Sequence, residues 1–237
     1  MTWRQWLPSP QQMSNAAQMR PNAYVGNTMQ QALGMIVLLA LLAGLLPSAV
    51  HWLVAAQAGT VLPLAQAIES AANAQAMLFG LGLGFPVTSE ATALHELYQT
   101  LAGLEQPLPD WLAAGLSALG AWLNWPMGWL TLWIVYGALV MVANKSLGGH
   151  TTLQRFYAAT GFGAVPLLLL GLSPIPGLGA LAVVGACGWS LAVYVRANRE
   201  VTGLEMSRAV AAVLLPALIL LLLSLLVTGI LLAFFLL

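Results

Sequence analysis

Charged residues are scarce in this sequence of 237 residues. They make up 6% of the chain, against about 25% in soluble domains, while hydrophobic residues make up 60%. This composition excludes a soluble globular enzyme, a disordered tail and a disulfide-rich scaffold, and it predicts an integral membrane protein. Seven basic residues balance seven acidic ones. The net charge therefore gives no sign of nucleic-acid binding, and no nucleic-acid partner is expected.

Metal ligands and nucleophiles are equally few. The one cysteine, Cys187, has no partner for an intrachain disulfide and is expected to be a buried structural thiol. His95-Glu96 resembles the start of a zinc-protease motif, but Gln99 stands where the second histidine is needed. His51 could bind the metal of a porphyrin, although a structural histidine at the membrane interface is favoured. We expect no catalytic residue, no metal site and no cofactor.

Five stretches contain no Asp, Glu, Lys or Arg, and each approaches the length that a helix needs to cross the hydrocarbon core. They are Ala32 to Trp52, Pro126 to Ala143, Phe156 to Leu172, Ile175 to Val195 and Ala209 to Leu237. The predicted fold is therefore an all-α bundle of five transmembrane helices. Pro126 is expected at the first helical position of the second span. Pro166 and Pro216 predict kinks, and residues 173–177 a tight turn.

The basic residues predict the orientation of this bundle. With five spans, all seven basic residues fall on one side of the membrane. In the segment on the opposite side, residues 53–125, every charged residue is acidic. The positive-inside rule then places the N-terminus in the cytoplasm and the C-terminus outside, in the cytoplasmic (inner) membrane of a bacterium.

The span pattern divides the chain into four parts. Residues 1–31 form a polar cytoplasmic segment, 32–52 the first transmembrane helix, 53–125 an outer segment and 126–237 a bundle of four transmembrane helices. The outer segment carries apolar residues at helical spacing on both sides of Pro107 and Pro109. It is predicted to form amphipathic helices lying along the outer interface.

Three groups of residues are candidates for contact with lipids or with protein partners in the membrane. The first is Trp3, Arg4 and Trp6, in an N-terminal segment too polar to fold alone and expected to dock on a protein or on lipid. The second is Arg196, Arg199 and Arg208, in a predicted loop that would bind a partner or anionic headgroups, or simply mark the cytoplasmic side. In the third, Trp129 and Trp133 belong to an aromatic stripe that either packs on a neighbouring helix or lipid tail or receives a flat cofactor; packing is favoured.

The second half of the chain resembles the prokaryotic branch of the Yip family. The matching features run from Gly148-Gly149 through Ile175-Pro176-Gly177-Leu178-Gly179 to Arg199-Glu200-Val201-Thr202-Gly203-Leu204, and end at Leu215-Pro216. The resemblance implies a five-span, non-enzymatic membrane protein that recruits partners or shapes membranes. Eukaryotic members interact with Rab-type GTPases and carry a cytoplasmic motif, Asp-Leu-Tyr-Gly-Pro, that this sequence lacks.

Two functions are therefore weighed first. One is a Yip-type membrane scaffold acting alone or as a homo-oligomer. The other is an accessory subunit of a larger respiratory or photosynthetic complex. An enzyme or a transporter ranks lowest, because the predicted spans contain no Asp, Glu, Lys or Arg that could form a substrate pathway.

Overall fold

Helices account for most of the chain that can be described. The computed structural model describes residues 6–58 and 109–236, and these contain helices and turns but no strand. The helices are α1 (Pro10–Ala17), α2 (Met29–Ala58), α3 (Asp110–Ser146), α4 (Leu153–Thr160), α5 (Ala164–Leu167), α6 (Leu178–Thr202) and α7 (Met206–Leu236). The predicted amphipathic helices before residue 109 lie outside the described residues, as do Trp3, Arg4 and His95.

Among the described residues, five segments are long and apolar enough to cross a membrane, which confirms the predicted five-span fold. They are Met29–Gln57, Trp111–Ser146, Leu153–Leu172, Leu178–Thr202 and Met206–Gly229. We refer to Leu153–Leu172, which contains α4 and α5, as the third span. All five predicted stretches fall on these segments, and the differences concern where the helices begin and end.

The second span begins well before Pro126, so the predicted helix start there is wrong. Helix α3 is continuous from Asp110 to Ser146, and the buried Pro126 lies inside it. Residues 110–125 are already helical when the chain reaches the proline, whose ring removes only one backbone donor. Prolines are tolerated in this way in transmembrane helices. The predicted amphipathic helix after Asp110 is therefore the first part of the second span.

The fourth span ends later than predicted. Helix α6 continues through Arg196 and Arg199 to Thr202, so the predicted loop between the fourth and fifth spans shrinks to residues 203–205. Gly203 ends the helix with φ 72°, a left-handed conformation that glycine adopts without strain. At the other end, Gly177 (φ 77°) closes the predicted tight turn, in which Gly179 N–H donates to the Ile175 carbonyl at 2.8 Å.

The third span is the least regular. It changes from α4 to a 3-10 turn at Gly161–Gly163, returns to α5 around Pro166, and ends as a 3-10 helix over Leu168–Leu172. A Cβ added at Gly161 would lie 2.7 Å from the Cβ of Ala32, so α2 and the third span are in close contact there. At Gly185 and Gly188 of α6, an added Cβ would meet no neighbour within 4 Å among the described residues.

The described residues divide into two compact units. The first takes in Met1–Pro47 and Leu123–Leu237, and the second Ser48–Trp122. The core of the first unit is built around the third span from large buried side chains: Tyr24, Met35, Ile36, Val140, Phe156, Phe162, Val193 and Val213.

In the second unit, the end of α2 packs on the start of α3. The indole Nε1 of Trp52 donates to the Trp111 carbonyl at 3.1 Å, and His51 Nε2 lies 3.5 Å from Ser117 Oγ. Ala114 and Ala118 are buried here, and small side chains of this kind allow helices to approach closely.

Candidate functional site

Two buried asparagines join α3 to α6 at one end of the bundle. We call this the basic end, because Lys145, Arg155 and Arg199 lie there. Asn144 lies in the last turn of α3 and Asn198 near the end of α6, and both are almost fully buried. Their amides exchange two hydrogen bonds: Asn144 Nδ2 donates to Asn198 Oδ1 at 2.7 Å, and Asn198 Nδ2 donates to Asn144 Oδ1 at 3.0 Å. Each amide supplies a donor and an acceptor to the other, so both are satisfied and the pair ties α3 to α6. Apolar neighbours in the same positions would leave the two amides without hydrogen-bond partners.

The residues that carry the family resemblance meet around this pair. Gly149 N–H donates to the Asn144 carbonyl at 2.8 Å, and His150 N–H donates to the Thr202 carbonyl at 3.2 Å. The buried Leu204 packs so near Gly149 that an added Cβ there would lie 3.2 Å from the leucine side chain. These motif residues therefore connect the ends of three spans, which gives the pattern a structural role.

The N-terminal segment is folded back against the third span and α6. Ser9 caps α1 by accepting from Gln12 N–H, and the segment returns so that the buried Tyr24 hydroxyl donates to the Ala16 carbonyl at 2.8 Å. The Tyr24 ring meets Phe162 of the third span edge-on at 5.9 Å, and Trp189 Nε1 of α6 donates to the Ala17 carbonyl at 2.9 Å. The surface that holds this segment is thus part of the chain itself.

Charged groups surround the buried tyrosine. Burial is the main cause that raises the pKa of Tyr24 to about 12; the negative charge of Glu200 acts in the same direction and the positive charge of Arg196 in the opposite one. Arg196 Nε and Glu200 Oε1 are buried and have no hydrogen-bond partner among the described residues. Tyr24 therefore stays protonated at neutral pH and keeps its hydrogen bond to Ala16.

An apolar cavity of about 300 Å³ lies deeper in the first unit, among the third span, α3 and α6. Trp129 and Trp133 form part of its wall, together with Leu167, Leu191 and the sole cysteine. Trp133 is buried: its Nε1 donates to Thr160 Oγ1 at 3.3 Å and its ring meets Tyr157 edge-on at 4.9 Å. The expectation that Cys187 is buried is wrong, since its side chain is exposed at this cavity.

The predicted contact residues fall in separate places. Trp6 is 44% exposed, and its backbone packs against Gly34 of α2. Arg196 is half-buried, while Arg199 and Arg208 are exposed on either side of the break at residues 203–205. Trp129 and Trp133 line the cavity, whereas Arg199 and Arg208 flank the break, so the described members of these groups form no single site.

Sequence reasoning missed Asn144, Asn198 and Tyr24. Each asparagine stands beside a basic residue, Lys145 or Arg199, and was passed over as part of a polar loop. Within the described ranges, no group of three or more His, Cys, Asp or Glu residues is placed to bind a metal ion.

Comparison with known proteins identifies the family. A family model of the Yip1 domain matches residues 30–228, which is most of the chain and covers all but one residue at the start of the first span and one at the end of the last. No curated protein and no solved structure matches the chain.

Proposed function

The chain belongs to the Yip1 domain family, and we propose that it acts as a non-enzymatic scaffold in the membrane. The observation that carries this proposal is the use of the polar side chains in the bundle. Asn144 and Asn198 bond to each other, and the hydroxyls of Tyr136 and Tyr157 donate to the carbonyls of Val213 and Ile134. These four side chains thus hold helices together, a role suited to a structural membrane protein.

We place the basic end of the bundle on the cytoplasmic side of the inner membrane. Lys145, Arg155, Arg199 and Arg208 lie at or beside helix ends that meet there, and all four are exposed. The positive-inside rule applies to basic residues close to the ends of spans, as these are. The N-terminus is then cytoplasmic and the C-terminus outside.

Thiol labelling tests this orientation. Cysteines placed at Ser146 and at Ser173 in a Cys187→Ala background occupy exposed positions at opposite ends of the spans. In intact cells, a membrane-impermeant reagent should label the cysteine at 173 and spare the one at 146, and lysis should make both reactive. The reverse pattern would overturn the orientation.

The surface for partners is proposed at the break between α6 and α7. Arg199, Glu205 and Arg208 are exposed around this break. Exposed basic groups at a membrane surface attract acidic protein segments or anionic headgroups.

Purification from native membranes after cross-linking tests the scaffold role. Proteins that co-purify with the unaltered chain should be lost with Arg199→Glu/Arg208→Glu and retained with Ser173→Glu, which adds charge at the other end of the spans. Retention of the same partners by the double variant would contradict the proposed surface.

The accessory-subunit function is the second candidate. The described part of α7 exposes leucines from Leu214 to Leu226 on many sides, a surface that suits lipid or a neighbouring membrane protein equally. Recovery in fixed stoichiometry with a respiratory or photosynthetic complex, unaffected by both charge variants, would support this function over the scaffold.

A further inference from the structure

Helix α3 presents polar and small residues on its outer side. Asn124, Gly128 and Thr131 are exposed and follow one another at intervals of four and three residues, so they lie on one face of the helix. Trp133 and Val140, which belong to the core of the first unit, lie on the opposite face. The face with the polar residues therefore points away from the bundle.

This face forms one wall of an open groove of about 460 Å³ on the outside of the first unit. Leu220 of α7 lines the groove as well, and the other residues that line it are mainly apolar. Met127, Val135 and Leu220 are 63%, 56% and 50% exposed, so the described part of the chain leaves the groove uncovered.

Asn124 and Thr131 lie at the depth of the hydrocarbon core. The charged residues of α3 that flank them are Asp110 and Lys145. Asn124 lies about 21 Å along the helix axis from Asp110, and Thr131 lies equally far from Lys145, at a rise of about 1.5 Å per residue. A hydrocarbon core about 30 Å thick and centred between these two charges contains both polar residues.

The side chains of Asn124 and Thr131 form no hydrogen bond with any residue that the structure describes. Ser224, which is exposed on α7, differs, because its hydroxyl donates to the Leu221 carbonyl at 2.8 Å. An amide in hydrocarbon has lost its hydrogen bonds to water, and lipid tails offer no replacement. Whatever fills the groove must therefore bring polar groups to the level of these two residues.

Gly128 indicates that the groove receives a helix. A Cβ added there would meet nothing within 4 Å among the described residues, so packing inside the first unit does not require a glycine. Gly161 differs, because its added Cβ would lie 2.7 Å from Ala32 of the same chain. Small residues on the face of a transmembrane helix let a second helix approach closely.

A second copy of the chain meets both requirements. Two copies with the same orientation in the membrane are related by a two-fold axis along the membrane normal, which makes their α3 helices parallel. Residues at this axis face their own counterparts at the same depth. The Asn124 amide carries both donors and an acceptor, and the Thr131 hydroxyl can also donate and accept, so each can bond to its counterpart. Their spacing of seven residues is the repeat of helices packed side by side.

We propose that the chain forms a parallel homodimer through this face of α3, in which the two Asn124 amides hydrogen-bond to each other across the two-fold axis. Gly128 lets the two helices approach, and the apolar residues of the groove pack around them. The dimer goes beyond the scaffold function and does not depend on it, because Arg199 and Arg208 belong to a different surface.

The first test measures dimerisation of the fluorescently labelled full-length protein in phospholipid vesicles, by resonance energy transfer over a range of protein-to-lipid ratios. Asn124→Leu should raise the dissociation constant of the dimer about threefold to thirtyfold, the effect of losing interhelical hydrogen bonds in a membrane. The matched control is Ser224→Leu. It removes an exposed hydroxyl that already bonds within α7, so the dissociation constant should not change.

The second test fills the groove. Gly128→Leu places a branched side chain between the two helices and should abolish the dimer. Gly188→Leu is the matched control, because Gly188 is an exposed glycine of α6 and its added Cβ also meets nothing within 4 Å. Both variants should melt at the temperature of the unaltered protein, which separates loss of the dimer from loss of the fold.

The third test uses the symmetry of the dimer. In a Cys187→Ala background, Thr131→Cys should form a disulfide-linked dimer when native membranes are oxidised with copper phenanthroline. Val184→Cys, at a position of α6 that is 73% exposed, should remain monomeric.

Three results would overturn the proposal. One is an unchanged dissociation constant in both Asn124→Leu and Gly128→Leu. Another is equal cross-linking of Thr131→Cys and Val184→Cys, which would indicate random collision. The last is cross-linking of Thr131→Cys to a different membrane protein in place of a second copy, which would assign the groove to that protein.

Discussion

The third span is less hydrophobic than α7 but is more buried in the bundle, which is the opposite of what hydropathy alone suggests. The most apolar stretch of α7 has a mean hydropathy of 3.0, against 1.4 for the third span, yet 17% of its residues are buried in the bundle against 56%. Hydropathy measures transfer from water to lipid, and both segments have already made that transfer. Between helices in a bilayer, small residues and hydrogen bonds supply the contact energy, and the third span has more of both.

The N-terminal segment contributes to the burial of the third span, so the largest effect is expected where the two meet. Tyr24→Ala removes a buried ring against Phe162 and should lower the free energy of unfolding by about 3–5 kcal/mol, the usual range for an aromatic residue in a core. Trp6→Ala, at an exposed side chain, is the control. Unfolding in mixed detergent micelles measures both. Equal effects would show that the segment does not stabilise the bundle.

The asparagine pair gives the next largest effect. Asn198→Leu leaves the buried amide of Asn144 without its partner and should cost about 1–3 kcal/mol. The double variant Asn144→Leu/Asn198→Leu removes both polar groups and should be less destabilised than the sum of the single variants. Additive losses in this double-mutant cycle would contradict the coupling that the two hydrogen bonds imply.

Alkaline pH should weaken the contact between the N-terminal segment and the third span. The pKa of Tyr24 is about 12 when folded and about 10 when unfolded, so above pH 10 the unfolded chain releases this proton first. The contribution of protonated Tyr24 to stability is therefore fully present below pH 10 and is lost as the pH rises towards 12. Tyr24→Phe should be less stable than the unaltered protein at pH 8. Between pH 10 and 12 the difference in stability should shrink, because only the unaltered protein has this hydroxyl to titrate. Parallel pH curves would exclude this linkage.

The smallest effect is expected on the lipid-facing side of α7. Leu221→Ala changes an exposed leucine and should alter stability by less than about 0.5 kcal/mol. Val213→Ala, at a fully buried position of the same helix, should cost about 2 kcal/mol. If Leu221→Ala proves the more damaging, the exposed face of α7 packs against protein in the assembled state.

The five spans could be predicted from sequence because charges are excluded from the hydrocarbon core, which leaves long charge-free stretches. The positions where the transmembrane helices begin and end were harder to predict. Pro126 suggests a helix start, but its neighbours were already helical, and Arg196 suggests a loop although arginine is a good helix former whose long side chain reaches the headgroups.

The contacts within the bundle could not be predicted from the hydrophobic pattern of the sequence. The pairing of Asn144 with Asn198 joins residues far apart in the chain, and no periodicity reports it. The position of Tyr24 over Phe162 likewise depends on how a polar, low-periodicity segment folds back. The tryptophan stripe did indicate a packed aromatic surface, but it gave no sign of the cavity that this surface helps to line.

Carbene labelling tests most directly whether burial runs opposite to hydropathy in this bundle. A small hydrophobic diazirine dissolved in the bilayer around the unaltered, reconstituted protein modifies side chains that face lipid, and peptide mass spectrometry counts the modifications. We predict dense labelling of α7 from Leu214 to Val227 and sparse labelling of the third span from Phe156 to Ala164. Labelling of the third span equal to or above that of α7 would contradict the account.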